Sequence, residues 1–272
     1  MEIQAVSLLK AWRQGEIRHP VVAFGDLQVL EHYNDKLRYG VTIRRIARPE
    51  ERQKGVLNVM DSGLLTGEEI PTGRINAKSG CAAREHVLTA TRAALSGEIT
   101  AVVTLPMCKE ATQLSDPDFV GHTELIGGIC GVKDVTIMLV SNQLILTHVS
   151  THVSLATAIA RARKERICTI LRLTCEAVGR LLTHPRIAVA GLNPHAGENG
   201  LFGDEEIHEI CPAVEWDQGQ GMPVEGPFPL DTVFNLAVQK KRFDAVVCMY
   251  HDQGHIPLKL LDFEGVVNVA LG

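Results

Sequence analysis

The chain has 272 residues, 45% of them hydrophobic and 22% charged, with a formal net charge of −5. That length holds one large domain or two ordinary ones, and the mixed, slightly acidic charge argues against nucleic acid as a partner. No apolar run reaches the roughly 18 residues of a membrane span. The N-terminal stretch "MEIQAVSLLKAWRQGEIRHP" lacks the basic-then-apolar order of a signal peptide, and the seven scattered cysteines form no CxxC pair, so reduced thiols and a cytoplasmic location are expected.

In chain order, β-branched apolar runs predict strands at residues 21–24, 101–105, 135–140, 144–149, 186–192, 244–250 and 266–271. Several are apolar throughout, which suits strands covered on both faces of a parallel sheet. Helical spacing occupies residues 81–98, 154–182 and 231–242. The second of these is too long for a typical single helix and is expected to kink or split. The third opens on Asp231 as N-cap and ends on three basic residues, matching the helix dipole at both ends. Residues 49–80 form a long stretch rich in glycine and charge, expected to cover or bridge something. Strands alternating with helices imply an α/β fold with a mostly parallel sheet.

Several strand ends carry titratable groups. In "LTHVSTHVSL" His148 and His152 are four apart, which on a helix would make a metal pair. The strand-like "LILTHV" instead puts one on a strand and the other at the following turn. In "GLNPHAGENGLFGDEE" Asn193, His195 and Glu198 lie on a glycine-rich loop after a strand, where open α/β sheets bind ligands. "MYHDQGHIPLK" places His251, Asp252, His255 and Lys259 after another. His152, His195 and His251 thus follow three separate strands, and parallel pairing brings them to one sheet edge. Three imidazoles there suit Zn²⁺, Co²⁺, Mn²⁺ or Mg²⁺ with positions left for substrate. Glu198 and Asp252 are candidates to orient the rings.

Gly121-His122-Thr123 precedes an apolar helical stretch and reads either as an anion site at a helix N-terminus or as an ordinary cap. Lys109, after the run at 101–105, either meets an anionic substrate or is solvated. No GxGxxG follows a strand, no Walker loop or GxSxG elbow occurs, and Cys108 has no neighbouring base, so thiol nucleophilic chemistry has little support.

Taken together, "GHTEL", "THVSTHVSL", "GLNPHAGENGLFGDEE", "GPFPLDTVF" and "MYHDQGHIPLKLLDFEGVVNVALG" resemble the 4-hydroxythreonine-4-phosphate dehydrogenase family of pyridoxal phosphate biosynthesis. The "MYHDQGHIPLKLL" form is more similar to the branch containing D-threonate and D-erythronate 4-phosphate dehydrogenases. The resemblance implies an α/β/α two-domain fold like that of isocitrate and isopropylmalate dehydrogenases, working as a homodimer with a shared site. On that architecture the expected division is residues 1–110 with 245–272 in one domain and 111–244 in the other, the latter carrying the dimer interface. It further implies a divalent metal on His152, His195 and His251, and substrate on His122, Thr123, Lys259 and Asn268. The implied reaction oxidises a secondary alcohol of a 4-phosphorylated hydroxy acid with NAD or NADP. The β-keto acid then decarboxylates, with Lys259 steadying the enolate-like charge.

Three departures from the family pattern stand out. The chain starts at "MEIQAVSLLKAW", where the family's first helix is already under way, without the preceding "GDPAGIGPE"-like turn. It stops at Gly272, before a "TSVDHGTA"-like segment. Cys108 stands where relatives often carry His or Asn. The expectation is an incomplete cofactor pocket. That leaves open a member that binds metal or substrate without turnover, or a metal-dependent hydrolase or aldolase using the same histidines.

Overall fold

The computed structural model describes residues 2–66 and 72–272. The chain divides into two compact units, Met1–Val132 and Lys133–Gly272. The first contains α1 (Glu2–Arg13), β1 (Val22–Gly25), α2 (Leu27–Lys36), β2 (Ile43–Ile46), β3 (Leu57–Asp61), α3 (Ala77–Leu95), α4 (Lys109–Gln113) and α5 (His122–Cys130). Its three strands form a parallel sheet in the order β1-β3-β2. Leu9 of α1, Val29 and Leu30 of α2, Leu57 and Val59 of β3 and Ala82 of α3 build its core. Asn76 starts α3 by accepting bonds from the backbone N–H groups of Lys78 (2.8 Å) and Ser79 (3.2 Å), two donors a helix start otherwise leaves open.

The second unit contains β4 (Thr136–Val140), β5 (Ile145–His148), α6 (Leu155–Arg161), α7 (Lys164–Gly179), β6 (Ile187–Ala190), α8 (Cys211–Gly219), β7 (Val224–Phe228), α9 (Leu230–Phe234), β8 (Ala245–Cys248), α10 (His251–Leu261) and β9 (Val267–Leu271). Wider π turns, Glu206–Ile210 and Asn235–Gln239, lead into α8 and continue α9. The six strands run in the order β7-β6-β8-β5-β4-β9. β7, β6, β8 and β5 pair in parallel, whereas β4 is antiparallel to both β5 and β9. One face packs Val189 and Val247 against Ile167, Ile170 and Leu171 of α7 and Val214 of α8. The other packs Leu146, Ala188 and Val246 against Val233 of α9 and Leu258 of α10. Coverage on both faces is why these strands are apolar throughout. Each fully buried Leu or Ile contributes about 1.5–3 kcal/mol.

The mostly parallel α/β class is as expected, and the long helical stretch does split: Ala162 leaves the helical region (ψ 63°) and Arg163 is extended before α7 starts. Other expectations are corrected. Residues 101–108 form neither helix nor strand, and Val103 is 88% exposed. A β-branched run makes a strand only where a partner and a face to pack on exist. β2 and β3 were hidden by charge and by the glycine-rich stretch 49–80, of which residues 67–71 lie outside the described residues. β7 was hidden by Gly226-Pro227, tolerated because β7 is an edge strand. The helix cap is Pro229, and Asp231 sits in the first turn. The division of the chain also differs: residues 245–272 group with 133–244, because β8 pairs with β5 and β6 and β9 pairs with β4. Residues 111–132 group with the first unit.

A buried carboxylate locks the loop after β3. Asp26, 1% exposed, accepts bonds from Ser62 Oγ (2.7 Å) and Leu64 N (2.6 Å), and His86 Nε2 lies 3.2 Å from its other oxygen. The same ring nitrogen also meets Ser62 Oγ at 2.8 Å, so this is a lock and not a nucleophile relay, which would use both ring nitrogens. Burial pushes the Asp26 carboxyl up, but His86 and Ser62 together hold it below its ordinary 3.8. A carboxyl depressed in the fold stabilises it above the unfolded value, and that stabilisation is lost as pH falls through the folded value. The urea midpoint of the first unit should therefore drop as pH falls below about 4. Asp26→Asn should flatten that acid limb while losing on the order of 1–3 kcal/mol at neutral pH. Parallel acid limbs in the two proteins would show that Asp26 is not the group responsible.

Candidate functional site

β6, β8 and β5 are adjacent and parallel, so their carboxyl ends share one edge of the sheet, with neighbouring strands roughly 4.8 Å apart. From that edge β5 runs through His148 into the turn carrying His152. β8 leads to His251 as the first residue of α10, and β6 leads to the turn carrying His195. The three strand exits that carry these histidines therefore lie along one edge of the sheet.

Two of the three are brought together. The rings of His152 and His251 lie 5.6 Å apart, centroid to centroid. His251 Nδ1 is 2.6 Å from Asp252 Oδ1. A carboxylate oxygen accepts, so Nδ1 donates this bond, which in the neutral ring leaves the lone pair on Nε2, the arrangement of an imidazole that can ligate. The His251 ring also stacks on His255 at 3.6 Å and 10°, and His255 leans on His148 at 4.8 Å. His255 is thus a support for the His251 ring. His195 stands apart: its ring meets Phe202 at 6.1 Å. Among the described residues no three His, Cys, Asp or Glu side chains stand in a metal-holding arrangement.

His148 was not expected to matter at this depth. It is fully buried, and neither ring nitrogen has a partner. Burial, helped by the neighbouring His255 and His251, pushes it down to about 3. Burial, then His251, also lowers His255. Both rings are therefore neutral at neutral pH and put no charge beside an incoming cation. The donor set fits a divalent ion in kind: imidazoles only, one of them oriented by a carboxylate and backed by neutral rings.

The turn presenting His195 has an unusual backbone. Residues 195–199 all have positive φ, from 45° to 78°. Four of the five are not glycine, and each such residue costs about 1–2 kcal/mol in this region. Buried Glu206 holds the turn in place. Its Oε1 accepts from Leu192 N (2.6 Å) and Asn193 N (2.7 Å), and its Oε2 accepts from Asn193 Nδ2 (2.9 Å). Gly197 packs against this carboxylate, where a Cβ would come 2.8 Å from Oε2. Glu198, expected to orient a ring, is exposed. Gln253 was also missed. It is 3% exposed, accepts from Met249 N (2.8 Å) and donates to Gly191 O (3.0 Å). The sequence signals were faint: one glutamate within the acidic run "GDEEIHE", and a glutamine two residues after a histidine.

In the first unit Gly121 caps α5, and His122 and Thr123 occupy its first turn. His122 Nε2 is buried without a partner. Burial, then the charge of Lys109, pushes His122 below its ordinary value, leaving it neutral. In the second unit Lys259 is exposed on α10, its Nζ 5.8 Å from the Phe263 ring, and Asn268 is exposed on β9 opposite Leu139.

A sequence profile described as "Pyridoxal phosphate biosynthetic protein PdxA" matches residues 16–272. The D-threonate 4-phosphate dehydrogenase of Salmonella typhimurium is 40% identical over 257 residues, covering 93% of this chain and 78% of that protein. The 4-hydroxythreonine-4-phosphate dehydrogenase of Beijerinckia indica is 43% identical over 255 residues, covering 92% and 75%. A crystal structure of 4-hydroxythreonine-4-phosphate dehydrogenase from Klebsiella pneumoniae superposes with a TM-score of 0.91 at 38% identity, covering 99% of this chain and 83% of that one.

The imidazole stack also depends on a missing side chain. A Cβ on Gly254 would come 2.6 Å from His148 Nε2 and 3.0 Å from Leu146 Cδ1. Gly254→Ala should cost about 1–3 kcal/mol by overpacking. Combined with His148→Ala it should cost less than the sum of the two single changes, because the clash partner is gone. Strictly additive urea midpoints would disprove this close packing.

Proposed function

Because the chain belongs to the pyridoxal phosphate biosynthetic protein PdxA family, we propose that it oxidises a small 4-phosphorylated hydroxy acid, D-threonate 4-phosphate or a close analogue, with a nicotinamide cofactor and a divalent cation. It is an oxidoreductase, as relatives named D-threonate 4-phosphate dehydrogenase and 4-hydroxythreonine-4-phosphate dehydrogenase indicate. That kinship takes the place of the hydrolase and aldolase alternatives. The observation that supports the metal reading is that three histidine-bearing strand ends lie along one sheet edge, with His152 and His251 5.6 Å apart and His251 held by Asp252.

In this reading His152, His195 and His251 hold the cation, which is Zn²⁺, Mg²⁺, Co²⁺ or Mn²⁺. When bound, the cation supplies Lewis-acid polarisation of the reacting oxygen, and the nicotinamide, NAD or NADP, takes up the hydride. The chain's own residues do the rest. Asp252 keeps the His251 proton on Nδ1, which holds that ring in one tautomer. Neutral His122 offers its unpartnered Nε2 to a substrate oxygen, and Thr123 adds a hydroxyl at the same helix start. Lys109 lends that region positive charge suited to a phosphate or carboxylate. Lys259 is assigned the electrostatic role in decarboxylation. When the C–C bond to the carboxylate breaks and CO₂ leaves, the electron pair stays on the keto fragment, and an ammonium group beside it lowers that charge's cost. Asn268 is assigned a hydrogen bond to substrate. We further assign the working form as a homodimer.

The test is reduction of NAD⁺ or NADP⁺, followed at 340 nm, with D-threonate 4-phosphate and 4-hydroxythreonine 4-phosphate and each of the four cations. Absorbance should rise with cation and stop rising on chelation. His195→Ala should keep its fold, lose bound metal and lower kcat/KM by at least about 100-fold, as loss of several kcal/mol of charge stabilisation requires. No cofactor reduction with any phosphorylated hydroxy acid would remove the dehydrogenase reading. Unchanged metal content in the variant would remove His195 from the ligand set.

A further inference from the structure

We propose that Gln253 is a positioning residue that sets the distance between the His195 turn and His251, and through it the geometry of the metal site; this rests on the metal reading above. The three strand ends are not tied together equally. Between β5 and β8 the backbone ladder continues past the last paired residues, with Val149 N donating to Cys248 O (2.8 Å) and Ser150 N to Met249 O (3.1 Å). The strand ends leading to His152 and His251 are therefore joined by main chain almost up to the histidines. Between β6 and β8 the paired register ends at Val189 and Val247, six residues before His195 and four before His251.

One side chain bridges the ends beyond that point. The carboxamide of Gln253 takes the N–H of Met249 at the exit of β8 and gives an N–H to the carbonyl of Gly191 at the exit of β6. Both partners are main chain with fixed roles, so the amide can sit only one way round. Its burial at 3% exposure makes each lost bond cost a desolvated, unpaired group. Gly191 O, Leu192 N and Asn193 N leave the sheet within two peptide units, and these three polar groups are captured by two buried side chains, Gln253 and Glu206. Glu206 shapes the turn, whereas Gln253 fixes it to the helix that carries His251.

The experiment uses Co²⁺ as the probe on the whole chain, reading its affinity by chelator competition and its visible absorption. Gln253→Leu removes both bonds. Gln253→Glu keeps the acceptor for Met249 N and removes only the donor to Gly191 O. As a control, Thr174→Val removes two buried bonds elsewhere in the same unit, the 2.8 Å contact with Thr147 Oγ1 and the 2.6 Å bond donated to Ile170 O. Both Gln253 variants should weaken Co²⁺ about 10–100-fold and alter its absorption. Thr174→Val should lower the urea midpoint and leave Co²⁺ affinity and absorption unchanged. Gln253 variants that bind Co²⁺ like the parent, with the same spectrum, overturn the assignment while sparing the metal reading. A parent protein that binds no Co²⁺ overturns both. Should neither variant fold, the parent's structure with Zn²⁺ decides. The assignment stands if His195 and His251 share the ion with the Gln253–Gly191 bond intact, and falls if that bond is broken.

Discussion

The parallel pairing of β6, β8 and β5 is the constraint on which the rest of the site depends. Parallel strands deliver their carboxyl ends to one edge, and at that edge each must give up its ladder. Backbone N–H and C=O groups released there cannot stay buried and unpaired without a cost of about 1–3 kcal/mol each. The site is therefore built from whatever satisfies them. Main-chain bonds do so between β5 and β8, and buried Gln253 and Glu206 do so at the exit of β6. The polar side chains that make the edge useful and those that make it stable are interleaved along the same few residues.

Much of this edge is legible in the amino-acid sequence. Uninterrupted apolar runs marked β4, β5, β6 and β8, because strands buried on both faces need no polar alternation. A polar cluster directly after each of three such runs put His152, His195 and His251 at strand exits, and the sheet order agrees. What was not legible depends on partners remote in sequence. Gln253 is significant only because Gly191, 62 residues away, needs a donor. The run at 101–105 had strand composition but no strand pairs with it among the described residues, while β2 carries two arginines and still pairs with β3. The place of residues 245–272 was likewise decided by pairing with β4, β5 and β6 and not by anything local.

His148 shows how an imidazole can serve as core. It lies on β5 with 0% exposure, has no hydrogen bond to its ring, and packs where Gly254 leaves room. Desolvation keeps it neutral, so it behaves as a flat, polarisable filler behind His255. Four neighbouring histidines are thus not four equivalent ligands. His148 is the buried one, His255 lies against both His148 and His251, and His152 is the exposed one.

The turn at residues 195–199 has the opposite hand to an ordinary helical turn. Apart from Gly197, its residues combine positive φ with ψ between 28° and 53°, which is the mirror image of an ordinary helical turn. A short piece of opposite hand is thus spliced into an otherwise right-handed chain. For D-amino acids the steric preference inverts, so the conformation that burdens L-alanine at position 196 is the relaxed one for its enantiomer. The same inversion makes β-branched L-residues the worst choices along the turn. Its narrow choice of residues therefore follows from handedness before any requirement of catalysis is considered.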